Sequence, residues 1–155
     1  LAPGLHRRFA AEHYAFLPAG LFDAAREKAR AEARPDAAFT GEGSDNDPAA
    51  IRLAAAHAAK AGVADCCRFE VRHVASFVPA PDDLVLTNPP YGERMMDAKA
   101  VAALEATLGK AIAQNPPAAA HIITADADFE KHFGRRAKKR RKVYNGMIPC
   151  QIYMY

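Results

Sequence analysis

Apolar residues recur along this chain at helical spacing in some stretches and in short continuous or alternating runs in others. Between Pro48 and Ala61, Ile51, Ala54, Ala55, Ala58 and Ala59 fall on one face of a 3.6-residue repeat. Asp47 is a good N-cap for that helix, Pro48 suits its first position, and Gly62 is placed to end it. A second amphipathic helix is predicted from about Asp97 to Gln114, with Val101, Leu104, Leu108 and Ile112 on its apolar face and Asn115-Pro116-Pro117 as the stop. Pro18 to Ala33, rich in alanine, arginine, glutamate and lysine, predicts a surface helix ending near Arg34-Pro35. Phe129 to Phe133 predicts a short one. Strands are expected at Ala37–Gly41, Arg68–Val74, Asp83–Thr87 and Ala119–Ala125, the last a nearly continuous apolar run. Gly43-Ser44-Asp45-Asn46-Asp47-Pro48 reads as a turn after the first strand. Arg141–Tyr144 and Cys150–Tyr155 predict a hairpin around Asn145-Gly146. Leu1 to Phe16 has no clean period and is expected to be irregular. Strand–helix alternation closed by a hairpin argues for an α/β class with a doubly wound sheet.

A length of 155 residues fits one domain with a real core. No stretch approaches the ~18 continuous apolar residues of a membrane span. Cys66 and Cys67 are adjacent and Cys150 stands apart, a layout poor for disulfides or zinc, so reduced thiols in a cytoplasmic protein are expected. The net charge of +3 is unevenly spread. Seven of the eight positions from Arg135 to Lys142 are basic: Arg135, Arg136, Lys138, Lys139, Arg140, Arg141 and Lys142. The other 14 basic residues are outnumbered by 18 acidic ones, so the positive field is expected in one place. A phosphate backbone is the partner such a patch would attract, and nucleic acid is therefore the expected partner.

The chemistry is concentrated in Thr87-Asn88-Pro89-Pro90-Tyr91-Gly92-Glu93-Arg94, directly after the apolar Leu84-Val85-Leu86. Two prolines fix φ at successive positions and remove two backbone donors. Each also drives the residue before it towards extended geometry, so the loop is stiff. Asn88 offers a side-chain acceptor, Pro89 a backbone acceptor and Tyr91 an aromatic face. Two acceptors can take both protons of an exocyclic amine and leave its lone pair free to attack. Asp45, following the first expected strand, is placed for a ribose, because ligands of open α/β sheets sit beyond the carboxyl ends of strands.

These residues resemble the catalytic domain of THUMP-containing RNA guanine-N2 methyltransferases, and most of all the bacterial enzymes acting on large-subunit ribosomal RNA. The resemblance rests on Pro3-Gly4-Leu5-His6-Arg7-Arg8-Phe9-Ala10, on Gly43 to Pro48, on Thr87 to Arg94, and on Tyr144-Asn145-Gly146 with Cys150. It implies a Rossmann-like fold and S-adenosylmethionine as cofactor. It further implies that Asn88, Pro89, Pro90 and Tyr91 are the catalytic loop, with Asn88 and Pro89 accepting from guanine N2 and Tyr91 stacking on the base. Asp45 and Asn88 would contact the cofactor. His73 stands where the family usually has an acidic residue near the adenine. Arg7, Arg8, Arg94, Arg135, Arg136, Lys138, Lys139 and Arg140 are the expected RNA contacts.

The resemblance also implies that the first strand, its glycine-rich loop and the THUMP domain lie upstream of Leu1, so residues 1–155 alone are expected to bind cofactor weakly and to be inactive. Asn-Pro-Pro-Tyr is shared with DNA adenine-N6 and protein glutamine-N5 methyltransferases, which keeps those substrates open. The basic run together with His73 also keeps open a non-catalytic RNA-binding module.

Overall fold

The computed structural model describes residues 4–34, 38–91 and 97–155. The backbone forms two compact units, Leu1–Val71 and Arg72–Tyr155.

The first unit contains α1 (Leu21–Ala31), β1 (Gly41–Asp45), α2 (Pro48–Ala61) and β2 (Cys67–Val71). β1 and β2 run parallel, in register from Gly41 opposite Cys67 to Asp45 opposite Val71, with α2 as the crossover packed on both. α2 keeps its predicted bounds. The Asp47 carboxylate accepts from the Ala49 amide at 2.7 Å, and Gly62 closes the helix in the left-handed conformation. α1 starts later than Pro18 because Gly20, with φ 76°, is not helical.

The first strand departs from expectation. It occupies Gly41–Asp45, from the end of the expected strand into the stretch Gly43–Pro48 read as a turn, while Phe39 of the expected strand is exposed. Ala37, where that strand was to start, lies outside the described residues. Glycine, serine and aspartate have little intrinsic taste for strands, but pairing with Cys67–Val71 outweighs it. The second strand is correspondingly Cys67–Val71, and Val74 instead opens a short 3-10 turn, Val74–Ser76. The stretch before α1 lacks long regular elements, as its lack of a clean period implied. A 3-10 turn spans Ala10–His13, and the Glu12 carboxylate accepts from the Phe9 amide at 2.9 Å.

The second unit contains β3 (Leu84–Thr87), α3 (Ala98–Gln114), β4 (Ala119–Thr124), α4 (Phe129–Phe133), β5 (Lys139–Asn145) and β6 (Ile148–Met154). Its sheet has the order β3-β4-β6-β5, with β3 parallel to β4 and the other pairs antiparallel. The core joins Val85, Leu108, Ile112, Ala120, Ile122, Phe129, Phe133, Tyr153 and Tyr155. Each such large side chain contributes about 1.5–3 kcal/mol on burial. β4 alternates half-buried and buried positions, with Ala120, Ile122 and Thr124 facing inward. The Phe129 and Tyr153 ring centroids lie 4.6 Å apart, as do those of Phe133 and Tyr155. α3 meets α4 so closely that a Cβ on Gly109 would lie 2.1 Å from the Phe133 carbonyl oxygen. Only glycine fits there.

The hairpin turn sits one residue later than expected. Asn145 pairs with Ile148 as the last rung of β5, so the two-residue turn is Gly146-Met147. Gly146 has φ 60° and no non-glycine residue described has a positive φ, which matches a type II′ turn. That shift makes Asn145 a strand residue.

Candidate active site

β3 delivers Asn88-Pro89-Pro90-Tyr91 at its carboxyl end, beside the carboxyl end of its parallel neighbour β4. Pro89 is buried, Pro90 and Tyr91 are half-buried, and Asn88 is exposed. The loop is thus anchored through its proline and presents its amide side chain outward. The tyrosine has two further contacts from far along the chain. Asn145 Nδ2 donates to its hydroxyl at 2.9 Å, and Cys150 Sγ lies 3.6 Å from the same oxygen. Gly92, Glu93 and Arg94, the last an expected RNA contact, lie outside the described residues.

Asp45 ends β1 as its strand assignment requires, exposed at the carboxyl end of a parallel strand. One of its oxygens accepts from the Asp47 amide at 2.9 Å and fixes the chain at the entry to α2. Asp45 belongs to the first unit, whereas Asn88 and His73 belong to the second. His73 is exposed, and its Nδ1 accepts from the Ala75 amide at 3.1 Å as the cap of the Val74–Ser76 turn.

The basic residues are distributed differently from the single patch their sequence clustering implied. Lys139 to Lys142 lie on β5, an edge strand, so Lys139 and Arg141 point to one face and Arg140 and Lys142 to the other. Arg140 is tied to Glu130 (Nε–Oε1 3.0 Å) and lies over the Tyr153 ring. Arg135 lies 4.8 Å from the Tyr155 ring centroid. Charges on an edge strand also discourage pairing with another sheet, an account that needs no nucleic acid. Arg136, Lys138 and Lys139 are exposed. In the first unit Arg8 pairs with Glu12 at 2.8 Å, and Arg26 pairs with the same carboxylate. The Arg8 hydrogen bond leads the effects that lower the Glu12 pKa to about 2. Arg7 lies 5.1 Å from the Phe9 ring centroid.

A further cluster escaped the sequence reading. Glu105 on α3 is fully buried, and its Oε2 lies 3.0 Å from His132 Nδ1, which is also 2.8 Å from Asp126 Oδ2. Burial first, then the neighbouring Asp126 carboxylate, push the Glu105 pKa up to about 7. Partial burial opposes ionisation of Asp126, but the Asp128 amide, Glu105 and His132 hold its pKa below the usual range. Burial likewise opposes a charged His132, and the two carboxyls outweigh it and raise its pKa. The other Glu105 oxygen has no hydrogen-bond partner among the described residues. With its pKa near 7, Glu105 retains its proton below neutrality, so this buried acid does not stand there as a bare charge. The three residues bring one potential ligand atom each within 4.8 Å, so the set is also chemically able to hold a cation. One signal was available in the sequence: Glu105 is a charge on the apolar face formed by Val101, Leu104, Leu108 and Ile112. A cavity of about 360 Å³ adjoins this region, lined in part by Thr124, Asp126, Lys142, Cys150 and Gln151.

Residues 1–154 match the family model UPF0020, the RMKL-like methyltransferase domain. The chain belongs to this family. Over its whole length this RMKL-like methyltransferase domain is 31% identical to YpsC, a putative RNA methyltransferase of Bacillus subtilis (strain 168), and covers 40% of it. It is 32% identical, again over its whole length, to a ribosomal RNA large subunit methyltransferase K/L of Shewanella amazonensis, of which it covers 23%. Among solved structures, SMU.472, a putative methyltransferase complexed with SAH, superimposes with a TM-score of 0.88 at 32% identity. That superposition covers 99% of this chain and 41% of the other. The domain therefore has the Rossmann-like methyltransferase fold, and it spans less than half the length of these relatives. No described helix is long and apolar enough to cross a membrane.

Proposed function

We propose that this domain transfers a methyl group from S-adenosylmethionine to the exocyclic N2 amine of a guanine in large-subunit (23S) ribosomal RNA. The observation that carries the reading is the Asn88-Pro89-Pro90-Tyr91 loop at the carboxyl end of β3, anchored by a buried Pro89 with Asn88 exposed. The Asn88 side-chain oxygen and the Pro89 carbonyl accept the two amine protons, so the nitrogen lone pair points at the sulfonium methyl. Tyr91 stacks on the base once it has left its helix. Bringing amine and methyl into line supplies much of the rate, and no covalent intermediate with the protein is required.

Support for the cofactor comes from the SAH bound to SMU.472, and for RNA from the similarity to YpsC, a putative RNA methyltransferase, and to the ribosomal RNA methyltransferase K/L. Asp45 holds the cofactor ribose in this reading, with His73 near the adenine. Arg7, Arg8, Arg94, Arg135, Arg136, Lys138, Lys139 and Arg140 serve the RNA phosphates.

The decisive assay offers the intact protein labelled S-adenosylmethionine with unmodified large-subunit RNA, duplex DNA or a peptide-chain release factor. Label in RNA, recovered as N2-methylguanine and lost in Asn88→Ala, is the expected result. Label only in DNA or in protein overturns the substrate, and RNA binding without transfer to any acceptor supports a non-catalytic module.

A further inference from the structure

Tyr144-Asn145-Gly146 and Cys150 stood out in the sequence without a task, and the fold gives two of them one. Asn145 and Cys150 are 54 and 59 residues from Tyr91 along the chain, yet both reach its hydroxyl. The Asn145 contact, at 2.9 Å, has ordinary hydrogen-bond length, whereas the thiol at 3.6 Å is the weaker partner. Asn145 is held for this contact by its place in the ladder opposite Ile148, directly before the Gly146-Met147 turn. The ring of Tyr91 is therefore restrained at both ends. Pro89 and Pro90 stiffen the backbone that carries it, and the hairpin fixes its tip.

We propose that Asn145, seconded by Cys150, is a positioning residue that sets the plane of the Tyr91 ring for the incoming base. This rests on the reading of Tyr91 as the stacking residue. A role in stability explains the contact poorly. Asn145 is exposed and Tyr91 only half-buried, so their hydrogen bond competes with water and contributes little to folding. A stacking platform gains more from it. A ring free to turn about its side-chain bonds must be ordered each time a base arrives, and a ring already held does not.

The test uses the intact protein with unmodified large-subunit RNA and compares wild type, Asn145→Ala, Tyr91→Phe and the double variant. The expected result for Asn145→Ala is a fall in kcat of about 3- to 10-fold, the range one such hydrogen bond supports, with KM for S-adenosylmethionine unchanged. Because both changes remove the same bond, Asn145→Ala adds no further loss in a Tyr91→Phe background. Asn145→Asp, which accepts from the phenol instead of donating to it, restores most of the rate. Unchanged kcat in Asn145→Ala overturns the proposal. So does a further loss in the double variant, or a rate loss in Asn145→Ala and Asn145→Asp that follows a lowered Tm. Absence of RNA methylation by the wild type overturns the functional reading itself, and this proposal with it.

Discussion

The two units use similar elements and differ sharply in what those elements bury. In the described part of residues 1–71, Ala58 is the only buried residue, while Phe16, Phe39 and Leu53 are more than half exposed. Residues 72–155 hold the whole aromatic and aliphatic cluster around Ile122, Phe129 and Tyr153. The Asn88–Tyr91 loop thus stands on a packed platform, whereas Asp45 ends a two-stranded ladder held by one helix. A stiff proline loop is useful only on a base that does not yield.

The sharpest way to break this contrast is to remove the platform. Phe129→Ala should destabilise the protein by about 3–5 kcal/mol in denaturant titration, against less than about 0.5 kcal/mol for the exposed Leu53→Ala. Comparable losses at both positions contradict it. Gly109→Ala comes next. The methyl group meets the Phe133 carbonyl, and separating α3 from α4 should cost about 1–3 kcal/mol.

The acid cluster adds a pH signature to the second unit alone. Glu105 is raised from 4.5 to about 7 in the folded state, and His132 is raised as well, so the folded chain binds protons that the unfolded chain has released. Their contribution is fully present below the unfolded values and is lost as pH rises through about 7. Asp126, shifted downward, acts only at the acid end. Tm should therefore fall as pH rises from about 4.5 through 7, and Glu105→Gln should flatten the slope. A steeper slope in that variant refutes the assignment. The smallest effects are those of the helix caps. Asp47→Ala on α2 and Asp97→Ala on α3 should each cost about 1 kcal/mol, since each loses one bond to a helix amide. Hydrogen exchange should show the α2 amides opening more than those of α3 for this equal loss, because α2 has less packing to fall back on.

Local chemistry was legible in the sequence. Asp47, Pro48 and Gly62 set the bounds of α2, and the apolar spacing of α3 placed it within a residue of its true start. Asn88 to Tyr91 could be read as a site because the prolines act on the chain itself. Features made by distant partners were not legible. β1 is a strand because of Cys67–Val71, against the habits of its own glycines. The basic run is contiguous in sequence, yet the two-residue period of β5 sends its side chains to opposite faces. Nothing local to Tyr91 or Asn145 announces their bond. Glu105 did leave a trace, as a charge where the helix pattern required an apolar side chain.

The order β3-β4-β6-β5 gives the second sheet two unlike borders. On β5, Lys139 to Lys142 place four consecutive cations, so like-charged copies repel there. On β3, Leu84 and Leu86 are 58% and 68% exposed beside a row of main-chain groups with no outer strand among the described residues. The two borders therefore offer a neighbouring strand different things, charge on β5 and apolar side chains on β3.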